Sequence, residues 1–222
     1  MFDFDPRELL IRFGVYVIPL ALSLTVHEWA HAWSAHKLGD DTAEREGRLT
    51  LNPLMHIDPL GTIILPLLAI PFGWARPVPV NPARFRRDVS MRMGMVLTAA
   101  AGPISNVVLS LLCSLTIGLG LRFGVLHLSP AIMHLLWTGM GMNILLAVFN
   151  LLPLLPLDGS RVVDGLMPAR WEPTWQQFLS LGQAPLLLVI MLPRLIHVDL
   201  LAWPMNLAQT MMVALTDVIA GY

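Results

Sequence analysis

The sequence predicts an all-α polytopic membrane protein, and three observations carry this prediction. Of its 222 residues, 55% are hydrophobic and only 13% are charged, whereas soluble domains are about one quarter charged. The mean hydropathy is +0.66. The hydrophobic residues also lie in runs of about 20 residues, which is the length that an α-helix needs to cross the hydrocarbon core of a bilayer.

Five of these runs are predicted to be membrane helices, so the lipid bilayer is an expected partner. A sixth run, 60–74, is too short to span and contains Pro66 and Pro71. We expect a re-entrant loop or hairpin there, after the first helix, and about five to six transmembrane helices in total. The five long runs cover about residues 10–36, 93–121, 131–155, 177–196 and 200–221.

The loop at residues 75–92 sets the predicted orientation, because it contains five arginines and one acidic residue. Loops rich in arginine and lysine face the cytoplasm. The C-terminal end of run 10–36 and the segment after residue 155 then lie on the same, cytoplasmic side. We expect an integral protein of a bacterial or archaeal cytoplasmic membrane.

The charge and cysteine content of the sequence bear on nucleic-acid binding and on disulfide formation. The net charge is −1 and no basic tract is present, so nucleic acid is not an expected partner. The single cysteine, Cys113, has no partner for an internal disulfide and is expected to be an inert buried thiol. No feature of the sequence predicts an oligomeric state.

The first run contains the segment VHEWAHAW, residues 26–33, which places three ionisable side chains in apolar surroundings. His27 and His31 are four residues apart, so they lie on the same face of an α-helix. Two imidazoles in this arrangement can share one metal ion, and Glu28 can act as a general base. Polar contacts between helices are the alternative, although ionisable residues inside a membrane are rare and usually functional.

A catalytic zinc ion needs a third protein ligand, and Asp158 is the best candidate. It follows a long apolar run and precedes Gly159, which would let the backbone turn while the carboxylate faces inward. An Asp-Gly pair after a helix also fits an ordinary turn. The predicted depth of Asp158, level with the two histidines, favours a ligand.

These motifs resemble those of the site-2 protease family, the intramembrane zinc metalloproteases. HEWAH lies in an early membrane run, and NLLPLLPLDG, residues 150–159, lies in a later one. AGPISN, residues 101–106, resembles the family's Gly-Pro-x-x-Asn motif. The resemblance covers about residues 10–160, and the loops are too short for the PDZ module that many larger members carry between their motifs.

The resemblance implies a zinc metalloendopeptidase that cleaves within or near a transmembrane segment of a single-span membrane protein. It implies one Zn²⁺ ion bound by His27, His31 and Asp158, with Glu28 as the catalytic glutamate. The site is expected on the cytoplasmic side. Such an enzyme would activate a water molecule for attack on a peptide carbonyl.

Three further residues are candidates for supporting roles. Asn106 and Asn150 would face the site and hydrogen-bond the substrate or the transition state, although hydrogen bonds between helices fit equally well. His56 lies in a segment, residues 49–63, that looks like the one following the first motif in a compact branch of the family. It could assist catalysis, coordinate metal in a resting form, or simply bond the loop backbone.

We expect a single membrane-embedded domain over residues 1–222, with a catalytic core over about 10–160 and a C-terminal helical hairpin over about 177–221. One alternative function is a membrane metal-binding or transport protein, which has no need for Glu28 beside the ligand pair. Another is a catalytically silent relative that binds membrane segments, and the intact Glu28 argues against it.

Overall fold

The computed structural model describes residues 7, 10–11, 13–68, 73–125, 129–196 and 202–221, without the side chains of 192–196. Every regular element in this part of the chain is helical, which confirms the predicted all-α class. Turns of π-helix cover Phe13–Val17 and Pro59–Ile64, and 3-10 turns cover Pro53–Met55 and Pro82–Arg84. The α-helices are α1 (Ile18–Lys37), α2 (Thr42–Arg45), α3 (Leu65–Leu67), α4 (Met91–Arg122), α5 (Pro130–Asn150), α6 (Asp158–Leu166), α7 (Glu172–Leu179), α8 (Ala184–Ile196) and α9 (Ala202–Ala220).

Three of the described helices are long and apolar enough to cross a membrane. They are α1 with the turn before it, Phe13–Lys37, then α4 and α5. They correspond to the first three long runs predicted from the sequence. α5 ends at Asn150 rather than near residue 155, because the closely spaced Pro153 and Pro156 each lack the amide hydrogen that a further helical turn would use, and each disfavours the helical conformation of the residue before it.

The predicted run 177–196 is not one continuous helix. Gly182 has a positive φ of 62°, which glycine adopts at little cost, and it lies in the turn between α7 and α8. The described part of α8 has 13 residues, or about 20 Å at 1.5 Å per residue, against a hydrocarbon core of about 30 Å. α9 is longer, with 19 residues, but it is not among the three candidate spans.

α4 is the central helix, because it contacts α1, α5, α6 and α9. It begins after Ser90, whose hydroxyl accepts a hydrogen bond from the Met93 amide at 3.2 Å, an N-cap arrangement. Near its other end, Ser114 Oγ lies 2.9 Å from Thr216 Oγ1 of α9. Elements from both ends of the chain therefore meet on one helix.

The two ends of the predicted re-entrant segment, 60–74, lie side by side. Ile57 and Ala75 form an antiparallel bridge, and Thr62 Oγ1 donates a hydrogen bond to the Trp74 carbonyl at 2.8 Å. Residues 69–72 of this segment lie outside the described part of the chain. The two ends therefore meet next to α1, where Ala75 packs with Leu20 and Leu24.

After this loop the chain runs along the C-terminal end of α1. The Asn81 amide donates to Asp40 Oδ2 at 2.6 Å, and the Arg86 amide donates to the Leu38 carbonyl at 2.8 Å. These contacts hold residues 76–79, Arg-Pro-Val-Pro, beside α1. We call these four residues the strap.

Candidate metal centre

The three predicted metal ligands converge where α1, α4 and α6 meet. His27 and His31 project from one face of α1, and Asp158 is the first residue of α6. The two Nε2 atoms are 3.1 Å apart, and Asp158 Oδ2 lies 3.2 Å from one and 3.3 Å from the other. At most 12% of each side chain is exposed, so bulk water does not screen the three groups from one another.

Gly159 lets Asp158 reach the histidines. A Cβ atom at residue 159 would overlap the carbonyl oxygen of Leu151, so the start of α6 packs tightly against the turn that follows α5 only with glycine there. The Asp-Gly pair is therefore the start of α6 and not an ordinary turn between elements. It brings the Asp158 carboxylate beside the two histidines.

Hydrogen bonds at the far side of each ring set which imidazole nitrogen is protonated. His27 Nδ1 lies 2.6 Å from Asn106 Oδ1, and His31 Nδ1 lies 2.7 Å from the Thr98 carbonyl oxygen. Because both oxygens only accept hydrogen bonds, each Nδ1 carries a hydrogen, and in the neutral ring each Nε2 then presents a lone pair. This is the arrangement that orients histidine ligands in metal sites.

Three electron-pair acceptors therefore face one another without a hydrogen to share. Asp158 Oδ2 is buried and has no hydrogen-bond partner. Such a cluster is repulsive unless a cation lies among the three atoms.

The donor set fits zinc. Zinc bonds to histidine nitrogen and carboxylate oxygen are about 2.0–2.2 Å long, and tetrahedral geometry then places neighbouring donors about 3.3–3.5 Å apart. The observed separations of 3.1–3.3 Å are close to this range. Two imidazoles and one carboxylate also leave a fourth position, as catalytic zinc sites require.

Gly102 of α4 makes room for both rings. A Cβ atom there would overlap His31 Nε2 and come within 2.6 Å of His27 Cε1. The glycine of the AGPISN motif therefore forms one wall of the centre. Its importance follows from close approach to the rings and not from an unusual backbone conformation.

Asn106 is fully buried and bonds protein groups on both sides of its amide. Its Oδ1 accepts from His27, and its Nδ2 donates to Asn143 Oδ1 of α5 at 2.8 Å. Asn143 in turn donates to Ser23 Oγ of α1 at 2.9 Å. Sequence reasoning missed Asn143, although its polar side chain in an apolar run, seven residues before Asn150, was an available signal.

Asn150 and His56 lie outside the cluster of ligand atoms. Asn150 Nδ2 donates to the Leu146 carbonyl of its own helix at 3.0 Å. His56 is 1% exposed, and its Nε2 lies 2.8 Å from the Thr50 carbonyl oxygen. Burial lowers the pKa of His56 more than the contact with Thr50 raises it, which favours the neutral ring.

Glu28 points to a different set of partners from the two histidines. Its side chain is buried, and Oε2 accepts a hydrogen bond from the Val78 amide of the strap at 2.9 Å. The buried guanidinium of Arg48 interacts electrostatically with Glu28. Burial lowers the pKa of Arg48, the charge of Arg76 lowers it further and Glu28 opposes the shift, but a guanidinium stays protonated at pH 7. Sequence reasoning found neither Val78 nor Arg48.

Comparison with known proteins adds an independent finding. The model of the family described as Peptidase family M50 matches residues 124–192, which include Asp158. "Putative zinc metalloprotease YwhC" of Bacillus subtilis is 41% identical over 192 residues, which are 85% of this chain and 84% of that protein. No solved structure matches this chain at a significant level.

Two mycobacterial proteins are also similar. "Putative zinc metalloprotease Rip2" of Mycolicibacterium smegmatis is 31% identical over 162 residues, which are 70% of this chain and 59% of that protein. Rip2 of Mycobacterium tuberculosis is 31% identical over 158 residues, 68% of this chain and 58% of that protein. The chain thus spans less than two thirds of the length of Rip2.

Gly102→Ala is expected to abolish zinc binding, because the added methyl group displaces both imidazoles. A ligand set has to be held to within about 0.5 Å, and we expect zinc to fall from one ion per chain to below about one tenth. Gly139→Ala is the matched control, since a Cβ atom there would lie 3.7 Å from Cys113 Sγ, an ordinary contact. The zinc content of both purified variants is measured by metal analysis. Stoichiometric zinc in Gly102→Ala would contradict the prediction that a side chain at residue 102 displaces the two imidazoles.

Asn106→Ala is expected to weaken zinc binding about 10- to 100-fold, because it removes the acceptor that orients His27. Asn150→Ala is the control, since the hydrogen bond from Asn150 to the Leu146 carbonyl stays within α5. Competition with a chelator of known affinity measures both. Equal zinc affinities in the two variants would show that the contact with Asn106 does not support the metal.

Proposed function

The chain belongs to peptidase family M50, and we propose that it is an intramembrane zinc metalloendopeptidase of the site-2 protease type. It hydrolyses a peptide bond within or near a transmembrane segment of a single-span membrane protein. One observation carries this proposal: the ligand atoms of His27, His31 and Asp158 converge at α1. This helix also carries Glu28, and it is long and apolar enough to cross a membrane.

The metal ligands in this proposal are Nε2 of His27 and of His31 and a carboxylate oxygen of Asp158, and they would hold one zinc ion. When bound, zinc activates water as a nucleophile and polarises the carbonyl group of a substrate. The chain's part is to hold the three donors in place. The contacts of the rings with Asn106 and with the Thr98 carbonyl support that role.

Glu28 acts as the general base and then as the general acid. It is adjacent to His27 in the helix, about 100° round the axis, so it lies beside the ligand pair without belonging to it. Its carboxylate takes a proton from the attacking water and gives it to the leaving amine nitrogen. Only 9% of the residue is exposed, which limits exchange of that proton with bulk water.

The supporting residues take different roles. Asn106 is a positioning residue that holds the His27 ring, since both ends of its amide already have protein partners. Asn150, half-buried at the end of α5, is proposed to contact the substrate. His56 is proposed to stabilise the loop backbone through the Thr50 carbonyl.

An increased KM for Asn150→Ala, with unchanged zinc content, is the expected signature of contact between Asn150 and the substrate.

The substrate helix has to unwind locally before cleavage, because its amides are hydrogen-bonded within the helix and shield the scissile bond. The segment 60–74 and its flanks are proposed to hold the unwound substrate strand, with the extended edge in the flanks because residues 59–67 are helical. The antiparallel bridge between Ile57 and Ala75 supports this proposal. Crosslinking of a substrate to α9 and not to residues 50–75 would count against it.

The proposed topology is five to six membrane helices in one domain over residues 1–222, including the C-terminal pair, with a catalytic core over about 10–160. The loop after Ile57 re-enters without crossing, so the arginine-rich loop 75–92 and the metal centre share the cytoplasmic side. The membrane is the cytoplasmic membrane of a bacterium or archaeon. Charge placement supports this orientation.

Cysteine labelling in a Cys113→Ser background tests the topology. We expect Leu54→Cys and Arg87→Cys to react with a membrane-impermeant maleimide only from the cytoplasmic side, and Val125→Cys only from the outside. Leu54 and Val125 are 76% and 63% exposed. Labelling of Leu54→Cys and Arg87→Cys from opposite sides would show that the intervening loop crosses the membrane.

Glu28→Gln separates a protease from its alternatives. We expect the variant to retain one zinc ion and to lose cleavage of a membrane-helix substrate by about 10²- to 10⁴-fold, the usual contribution of a general base. Asp158→Ala is expected to lose both zinc and cleavage. Glu44→Gln is the matched control, because its side chain is 55% exposed.

Zinc content and cleavage are measured on the same preparations in this experiment. If the protein were a metal transporter, Glu28→Gln would still transport metal. If it were a catalytically silent binder, the wild-type protein would show no cleavage. Retained stoichiometric zinc in Asp158→Ala would remove Asp158 from the ligand set.

A further inference from the structure

We infer that the backbone amide of Val78 positions the carboxylate of Glu28 for catalysis, and that the strap holds this amide in place. This inference rests on the proposed function, because it gives Glu28 its role. It adds a group that no side-chain motif reveals. The amide acts through Glu28, so it is a positioning group and not a catalytic residue.

The contact joins two parts of the chain that are 50 residues apart. The Val78 N–H donates to Glu28 Oε2 at 2.9 Å, a distance typical of a charge-assisted hydrogen bond. Glu28 is 9% exposed, and a buried carboxylate needs hydrogen bonds to be stable. With Oε2 fixed by this donor, the side chain is held in one orientation beside the metal ligands.

The two prolines of the strap leave the Val78 amide as the donor to Glu28 and restrict its conformation. Pro77 and Pro79 have no amide hydrogen, and each fixes its own φ near −65°. Each also forces the residue before it, Arg76 or Val78, into an extended conformation. Within the strap, the Arg76 amide donates to the His56 carbonyl at 2.8 Å. The Val78 amide is therefore the one backbone donor of the strap that reaches Glu28.

Contacts on both sides of Val78 fix the strap in space. Arg48 is 3% exposed, and its Nη2 donates to the Arg76 carbonyl at 2.6 Å and to the Pro77 carbonyl at 3.3 Å. Farther along, the Asn81 amide is bonded to Asp40. The positive charge of Arg48 also stabilises the nearby anion of Glu28. Arg48 therefore holds the strap and compensates the carboxylate that the strap orients.

Loss of the amide hydrogen is expected to change catalysis without changing the metal. None of the three metal ligands bonds the strap in the described residues. A misplacement of about 1 Å in a reacting group can cost about 10²-fold in rate. We therefore expect a lower kcat with unchanged KM and zinc content, whereas general damage to the fold would alter all three.

The test replaces the Val78 amide by an ester, using the α-hydroxy analogue of valine introduced by nonsense suppression into the full chain. This change removes the hydrogen and keeps the side chain. The same ester at Val80, which lies just outside the strap, is the matched control, and valine reinserted at residue 78 by suppression controls for the method. Zinc content, kcat and KM for a membrane-helix substrate are measured for each.

We expect kcat of the Val78 ester to fall about 10²-fold, with KM within twofold and one zinc ion per chain, while the Val80 ester keeps wild-type kcat. Arg48→Lys, which keeps the charge but loses the planar donor pair, provides a second route and should lower kcat in the same way. Unchanged or increased kcat in the Val78 ester, with an active wild type and inactive Glu28→Gln, overturns this inference alone. An inactive wild type, or an active Glu28→Gln, overturns the proposed function and this inference with it.

Discussion

Two imidazole nitrogens and one carboxylate oxygen lie within 3.3 Å of one another in a buried site, and all three present lone pairs when the rings are neutral. Without a cation this arrangement is unfavourable, because the lone pairs and the negative charge repel in surroundings of low dielectric constant. A divalent cation turns the same repulsion into attraction. The fold around the centre can therefore be understood as the means of keeping the three acceptors together.

α4 supplies much of that support from one face. Thr98, Gly102 and Asn106 follow one another at intervals of four residues, so they lie in a row along the helix. The first accepts a hydrogen bond from His31, the second leaves space for both rings, and the third accepts from His27. One helix thus sets the orientation of both imidazoles, and α6 brings the carboxylate to them.

The sequence allowed the prediction of those features that local chemistry determines. Helical periodicity places the two histidines together, and the carboxylate of Asp158 after an apolar run has few competitors as a third ligand. Val78 could not be found in this way, because a backbone amide has no side-chain signature and its contact with Glu28 depends on the path of the whole loop. Arg48 was missed because its contacts with the strap also depend on the path of the loop. The break at Gly182 was missed because apolar composition measures hydrophobicity and not the continuity of a helix.

X-ray absorption at the zinc K edge of the purified wild-type protein tests the central claim most directly. The account predicts four light-atom neighbours at about 2.0–2.2 Å, with the multiple scattering of two imidazole rings and with oxygen as the remaining neighbours. A sulfur neighbour at about 2.3 Å, or a spectrum of oxygen neighbours without imidazole scattering, would contradict it.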